Sequence, residues 1–307
     1  MQIAEVRILI PHSAFAYRLS PIAYRLSLNA DRQGGAMISP VLDYLRLDDR
    51  FPHILCPGCG IGTVMSAMIR AFIELKIDPN KLCVVSGIGC SSRIPGYLDC
   101  DTFHTLHGRA IPSASGVKLA RPDLEVVVLG GDGDMLAIGG NHFIHAARRN
   151  LKLTTIVVNN YNYGMTGGQF SPTTPQGARA KTSPYGNAER GFDVCELAKG
   201  AGAVFVARST AYHVQQLKSL IKQAMQKKGF AVVEAVAQCP TLYGRMNRLG
   251  SAVKMLEAMR DSSIPVASVK KPEDAVGKIV TGVLWNVDAP EYTEVYQSTM
   301  AKAQGKK

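Results

Sequence analysis

Cys56 and Cys59, in the run HILCPGCGIG, stand three positions apart and are the first residues whose types and spacing invite chemistry. A CxxC pair alone serves a zinc site, a redox dithiol or half of an iron–sulfur site. Cys90 in SGIGCSSR and Cys239 in AVAQCPT follow apolar, strand-like runs. Four thiolates could therefore converge, a set whose geometry admits either zinc or a [4Fe-4S] cluster. A second constellation is built on oxygen. GGDGD (130–134) follows a strand pattern and opens a helix pattern, so Gly131 and Gly133 let backbone amides approach a phosphate. The next strand pattern ends in NNYNYG, with Asn160 28 residues after Asp132, which places both side chains at the tips of neighbouring parallel strands. A carboxylate, an amide oxygen and a backbone carbonyl form a hard oxygen set suited to Mg²⁺, with a diphosphate filling the remaining positions.

Holding these groups together requires strands that end at one edge. KLCVVSGIG, LEVVVLGG, KLTTIVVNN, AVFVARS and FAVVEAVA are continuous apolar runs. They alternate with helix-periodic segments, namely IGTVMSAMIRAFIEL, RAIPSASGVKLARP, DMLAIGGNHFIHAARRN and AYHVQQLKSLIKQAMQKK. The alternation predicts an α/β fold, a parallel sheet with helices on both faces, whose ligands sit beyond the carboxyl ends of the strands. A glycine- and proline-rich stretch, 161–190, interrupts it. Fold-like patterning begins at MISPVLDYLRLDDRFPHI, so Met37 reads as the natural start or residues 1–36 as a loosely held arm, and 246–307 reads as a C-terminal extension with a helix at AVKMLEAMRD and a basic tail.

The 307 residues are 46% hydrophobic and 19% charged, a globular balance. No apolar run reaches the roughly 18 residues of a membrane span, and the first residues lack the order of a secretory signal, so a cytoplasmic protein without a membrane role is expected. The net charge of +11 fits either a generally basic solvated surface or an acidic partner. No nucleic-acid signature accompanies it, so an acidic protein or a phosphorylated ligand is the better match. Seven cysteines, an odd number, argue against a disulfide framework. Cys83 and Cys195 read as small buried hydrophobes, whereas Cys100 in YLDCDTFHTLHGRA reads as either core or neighbour of the thiol site. A nicotinamide fingerprint is not met, because GIGCSS lacks the third glycine.

GDG followed by NN resembles the motif of thiamine diphosphate enzymes. CPGCG, GCS with a basic residue, GDGD, YGMTGGQFSPTTP and a final Cys-Pro, in that order between about residues 40 and 295, together resemble the β subunit of the 2-oxoacid:ferredoxin oxidoreductases. The resemblance implies that 37–245 is a thiamine diphosphate-binding domain carrying an iron–sulfur site. Cys56, Cys59, Cys90 and Cys239 would hold one [4Fe-4S] cluster, and Asp132, Asn160 and the carbonyl of Asn162 would hold Mg²⁺. Gly131, Gly133, Asp134, Thr166, Gly167 and Gly168 would lie at the diphosphate.

The implied reaction is the coenzyme A-dependent oxidative decarboxylation of a 2-oxoacid, with electrons passed singly through the cluster to ferredoxin, and it can run in reverse. The family carries the glutamate that activates thiamine on a separate α subunit, so a hetero-oligomer is expected, either a heterodimer or a dimer of heterodimers, with 246–307 contacting that partner. Arg93 is a candidate for holding the substrate carboxylate, and His104 and His107 for polarising the substrate. Met165 and Leu106 would be apolar walls. Met165 stands where pyruvate members often carry a polar residue, which favours 2-oxoglutarate, oxidised to succinyl-CoA, over pyruvate or another 2-oxoacid. The alternatives are a non-oxidative thiamine enzyme, which would lack the four cysteines, and a zinc-stabilised subunit without catalysis.

Overall fold

Runs such as Val126–Leu129 are apolar at every position, so the strand they form must be covered on both sides. In the computed structural model, which describes residues 39–47 and 50–305, this is how the run is used. In strand β3 (Glu125–Gly131), Val127 and Leu129 enter one core while Val126 and Val128 enter the other. The arm expected over 1–36 and the start expected at Met37 lie outside the described residues.

Among the described residues, eight strands form one sheet. In chain order they are β1 (Leu82–Ser86), β2 (Asp101–His104), β3, β4 (Leu153–Asn159), β5 (Phe205–Thr210), β6 (Phe230–Val236), β7 (Ser263–Pro265) and β8 (Ile279–Asn286), laid side by side as 2-1-3-4-6-5-8-7. Every neighbouring pair is parallel except β5 with β8. Helices α1 (Gly60–Glu74) and α5 (Val214–Gln226) close one face with Val64, Met68, Phe72, Leu217 and Ile221. On the other face lie α2 (Ala110–Ala120), α3 (Gly140–Arg149) and α4 (Val194–Gly200), which contribute Ala114, Phe143 and Ala198. No helix among the described residues is long and apolar enough to cross a membrane.

Three local outcomes differ from the periodicity. The helix expected from Asp134 opens as a π-helical turn, Asp134–Ile138, before α3 begins. A Cβ on Gly139 would stand 2.4 Å from the Asp134 carbonyl, so only glycine permits the extra residue in that turn. The four-residue edge strand β2, mostly exposed, lacks an apolar run to announce it. Part of the segment 246–307 also belongs to the sheet, because β8 pairs antiparallel with β5, while the expected helix is α6 (Ala252–Ser262) and a last helix, α7 (Tyr292–Ala303), follows.

Asn150 fastens this terminal segment. It caps α3 in the left-handed region at φ 55°. Its Oδ1 accepts from the Phe230 amide at 2.9 Å, and its Nδ2 donates to the carbonyls of Ala289 (3.2 Å) and Pro290 (2.9 Å). Asn150→Ala strands a buried amide and adds left-handed strain, so urea unfolding should show a loss of about 3 kcal/mol. Asn150→Gly loses the same hydrogen bonds without the strain and should be about 1 kcal/mol milder. Equal losses in the two variants would show that φ at this position carries no cost.

Candidate active site

The CPGC segment turns back on itself. The Cys59 amide donates to the Cys56 carbonyl at 3.0 Å, and Gly58 takes φ 73°, where a Cβ would also meet the Ala252 methyl at 2.5 Å. Cys59 then leads directly into α1. Two hydrogen bonds tie the turn to the residue before Cys239: the Gly60 amide to the Gln238 carbonyl (3.1 Å) and Gln238 Nε2 to the Gly58 carbonyl (3.0 Å). Cys90 comes from the loop beyond β1, at the start of the 3₁₀ turn Ser91–Tyr97.

These four thiols lie near enough to act on one another's ionisation. Burial, followed by the nearness of the Cys239, Cys90 and Cys56 thiols, pushes Cys59 up to about 11. Burial and the Cys239 and Cys56 thiols do the same to Cys90, also to about 11. Four sulfurs from three segments, without histidine or carboxylate among them, suit a thiophilic metal centre that displaces their protons on binding. Cys239 is buried and Cys56 is exposed, so the group reaches from the interior to the surface.

The other cysteines stand apart from it. Cys100 is pushed up to about 12 by burial, and the titratable groups around it are Arg46, Cys83, Asp101 and Asp99. It precedes β2 at the amino ends of the strands, away from Cys90, so it is packing beside Cys83 rather than a neighbour of the thiol group. Cys195 is buried, with its Sγ 3.3 Å from Glu234 Oε2.

The oxygen set assembles one residue beyond β3 and β4, which are adjacent and pair Gly131 with Val158. Asp132, Asn160 and Asn162 are all buried, yet all line one cleft of about 240 Å³ together with Cys90, His107, Met165 and Thr166. Asp132 Oδ2 accepts from Ser171 Oγ at 2.6 Å and Thr173 Oγ1 at 2.5 Å. Burial still pushes its carboxyl up to about 6, with those hydroxyls and the Gly133 amide pulling the other way. A buried carboxylate in a cleft lined by further oxygens fits a hard divalent cation, which would repay its desolvation. The backbone beside the cleft is equally tight: a Cβ on Gly133, which does not itself line it, would lie 2.3 Å from the Tyr163 ring. Thus the residues present fit Mg²⁺ with a diphosphate.

One loop serves both sites. Asn162 Oδ1 lies 3.9 Å from Cys239 Sγ, and a Cβ on Gly164 would stand 3.2 Å from Cys90 Sγ. The loop closes through the Tyr163 amide to the Gln169 carbonyl (3.0 Å), the Gly167 amide to the Gly164 carbonyl (3.1 Å) and the Gly168 amide to the Tyr163 carbonyl (2.8 Å). Gly167 (φ 113°) and Gly168 (φ 99°) make that turn and do not line the cleft, whereas Thr166 lines it with Oγ1 bonded to Gln169 Oε1 at 2.7 Å.

Of the residues expected near a substrate, His107 is in the cleft. Its Nδ1 is 2.7 Å from Asp134 Oδ1, and its ring meets Tyr163 edge-on at 5.9 Å. Because a carboxylate only accepts, Nδ1 carries the proton and Nε2 is left for the cleft. Asp134 is a loop organiser: its Oδ1 also takes the amides of Ile88 (3.2 Å) and Gly108 (2.7 Å), and its buried Oδ2 points at Gly87 and Gly130. His104 is exposed on the edge strand with Nδ1 3.2 Å from Ser86 Oγ, and Arg93 is exposed on the turn after Cys90; neither lines the cleft. Met165 lines the cleft and Leu106 is 75% exposed beside it.

Behind Asp132 runs a polar chain that the motifs did not reveal. Thr173 Oγ1 lies 3.0 Å from Asn159 Oδ1, Asn159 Nδ2 donates to Glu234 Oε1 at 2.7 Å, and Arg208 Nε donates to Glu234 Oε2 at 2.6 Å. Arg208 Nη2 reaches Asp193 Oδ1 at 2.7 Å. Asp193, Cys195 and Glu234 offer ligand-type atoms within 4.8 Å of one another, but the guanidinium bonded to both carboxylates is already their cation. The signal was present as an arginine and a glutamate interrupting the apolar strands FVARST and FAVVEAV.

Residues 87–235 match the family model for the thiamine pyrophosphate enzyme, C-terminal TPP binding domain. The chain is 52% identical over 265 residues to the 2-oxoglutarate synthase subunit KorB of Methanocaldococcus jannaschii, covering 86% of this chain and 98% of that protein. It is 43% identical over 242 residues to the 2-oxoacid:ferredoxin oxidoreductase subunit beta of Saccharolobus solfataricus, covering 78% and 79%. Among solved structures, the 2-oxoglutarate:ferredoxin oxidoreductase of Magnetococcus marinus, with 2-oxoglutarate, coenzyme A and succinyl-CoA bound, superposes with a TM-score of 0.77 at 36% identity, covering 87% of this chain and 91% of that one.

The Asp132 environment makes stability depend on pH. A carboxyl held near 6 when folded, against an ordinary 3.8, favours the fold while protonated. That contribution is complete below about pH 4 and is lost as pH rises through about 6. The metal-free wild type should therefore lose on the order of 3 kcal/mol relative to Asp132→Asn between pH 4 and pH 7. Parallel urea unfolding curves for the two proteins across that range would refute the burial assignment.

Proposed function

We propose, because this chain belongs to the β subunits of the 2-oxoacid:ferredoxin oxidoreductases, that it carries the thiamine diphosphate and electron-transfer half of a 2-oxoglutarate-oxidising enzyme. The observation that carries this reading is the sharing of one loop, 160–169, by a four-thiol group and a buried oxygen set. Two cofactors held against one loop would lie close enough to exchange electrons without a moving part.

Asp132, Asn160 and Asn162 would hold Mg²⁺, with the amides around Gly131 and Gly133 meeting the diphosphate. Cys56, Cys59, Cys90 and Cys239 would hold the [4Fe-4S] cluster as thiolates. Bound thiamine diphosphate supplies carbanion stabilisation at the carbon that loses CO₂. His107 faces that region with Nε2, a proton acceptor or, when protonated, a donor, in an orientation fixed by Asp134. Thr166 and Met165 close the cleft on the loop side. Arg93 and His104 lie outside the cleft walls, so substrate carboxylate binding is assigned to groups still to be added by the partner.

That partner is the α subunit. Leu106, Ile138, Met165 and Phe103 are exposed apolar side chains near the carboxyl edge of β1–β3, and covering them would exclude water from the reaction. The assembled enzyme is a cytoplasmic hetero-oligomer that couples 2-oxoglutarate and coenzyme A to ferredoxin reduction, and reverses when reduced ferredoxin is in excess.

Anaerobic purification with the α subunit should yield a brown protein with about four irons per chain and coenzyme A-dependent viologen reduction with 2-oxoglutarate exceeding that with pyruvate. Cys239→Ala should lose both iron and dye reduction. A colourless zinc protein, or decarboxylation without electron transfer, would overturn the reading, and preference for pyruvate would overturn the substrate alone.

A further inference from the structure

Two segments that meet beside the thiol group contain no acidic residue. One is 161–188, which carries Arg179 and Lys181, and the other is 239–256, which carries Arg245, Arg248 and Lys254. They are stitched together: the Arg179 amide donates to Asn247 Oδ1 at 2.8 Å, Asn247 Nδ2 donates to the Arg179 carbonyl at 2.9 Å, and the Tyr161 and Tyr243 rings meet at 5.5 Å. Elsewhere on the chain the cations are widely paired, as in Lys81–Asp123, Lys152–Glu125, Lys218–Glu74 and Lys227–Asp288. Among the described residues, none of the five cations here has a carboxylate partner within 4.0 Å.

A concavity of about 560 Å³ opens in this basic surface. Arg245 and Arg248 stand on its wall, and Pro57 and Pro240 line it as well. Pro57 lies between Cys56 and Cys59, and Pro240 follows Cys239, so an occupant would rest against the chain that carries three of the four thiols. Cys56, the exposed member of the group, lies on the same turn.

We propose that this basic concavity is the docking site of an acidic iron–sulfur protein that accepts the electrons, an inference that rests on the cluster-bearing oxidoreductase reading above. The cations are spread over two segments, which suits a protein surface better than one small anion. Uncompensated positive charge steers an acidic partner and sets its register. Each visit moves one electron from the reduced cluster to the acceptor's oxidised centre, with no bond made or broken. The two electrons released per 2-oxoacid oxidised therefore need two such visits.

The αβ holoenzyme carrying R245E/R248E would be assayed with 2-oxoglutarate and coenzyme A, using either a purified acidic two-[4Fe-4S] ferredoxin or methyl viologen as acceptor. The KM for ferredoxin should rise at least about tenfold at low salt and the difference should shrink at high salt, while viologen turnover stays within about twofold. R245Q/R248Q should give a smaller rise. R148E/R149E, the same charge change at the far end of α3, should leave the ferredoxin KM unaltered. An unaltered ferredoxin KM in R245E/R248E overturns the proposal, as does a raised KM for coenzyme A with viologen, which would give the site to coenzyme A phosphates. Wild type that reduces viologen but not ferredoxin overturns the docking proposal alone. Wild type that reduces neither, or lacks iron, overturns the underlying reading and the proposal with it.

Discussion

The burial of the Asp132 carboxylate is the constraint around which the centre of the molecule is arranged. A charged group with almost no exposure must be met by donors or by a cation. The chain supplies Ser171 and Thr173 from the glycine- and proline-rich stretch, so this stretch must fold back over the strand tips rather than loop into solvent. The demand continues outward. Thr173 has one proton and two nearby acceptors, Asp132 and Asn159. Asn159 is fixed in turn by Glu234, and Glu234 needs Arg208. An ion pair inside the sheet is expensive, yet removing one member would leave the other buried and unpaired. The polar chain is therefore a unit that runs from Asp132 to Asp193.

The same packing fixes the spacing between the two sites. Gly164 approaches Cys90 too closely for a side chain, and Asn162 reaches towards Cys239. A shift of the loop 160–169 would thus disturb two of the four thiols. The CPGC turn has its own anchor in Gln238, next to Cys239. Apart from Cys56 and Cys59, which precede α1, both sets are carried by residues just past β1, β3, β4 and β6, four strands adjacent in the sheet. The parallel register, set by apolar strands, brings Cys90 and Cys239 to one edge of the sheet, and the Gln238 hydrogen bonds bring the CPGC turn to them.

Those strand-end positions explain what could be read in advance. Asp132, Asn160, Cys90 and Cys239 each follow an apolar run at one end, and a parallel sheet gathers such ends whatever the loops do. β2 and β8 were not legible, because one is a short exposed edge strand and the other is only partly buried. Ser171 and Thr173 were hidden because loop residues have no periodicity, and their placement depends on the carboxylate they serve. His104 and His107 are three residues apart and look alike as letters. The strand ends between them, so one stays on the edge while the other turns in to meet Asp134. That difference depends on the Gly108 and Ile88 amides gathered by Asp134, a contact across long sequence separations.

Charge is distributed by a single logic across both sites. In the metal-free chain the Cys59 and Cys90 thiols are pushed to about 11, so gathering four thiolates without a cation is unfavourable. Iron bound there would supply positive charge at the centre, but four thiolates around a cluster would leave a net negative body. The acid-free segments 161–188 and 239–256 carry five exposed cations, which would lower the cost of that negative charge through the effective dielectric of the protein. Because those cations face water, the remainder of their field extends outward and is available to a partner. A surface that helps hold an anionic centre is, by the same charges, a surface that attracts acidic molecules. The oxygen site shows the inverse arrangement: its charge is shielded in depth by hydroxyls and a buried ion pair, so that only a cation entering the cleft can reach it.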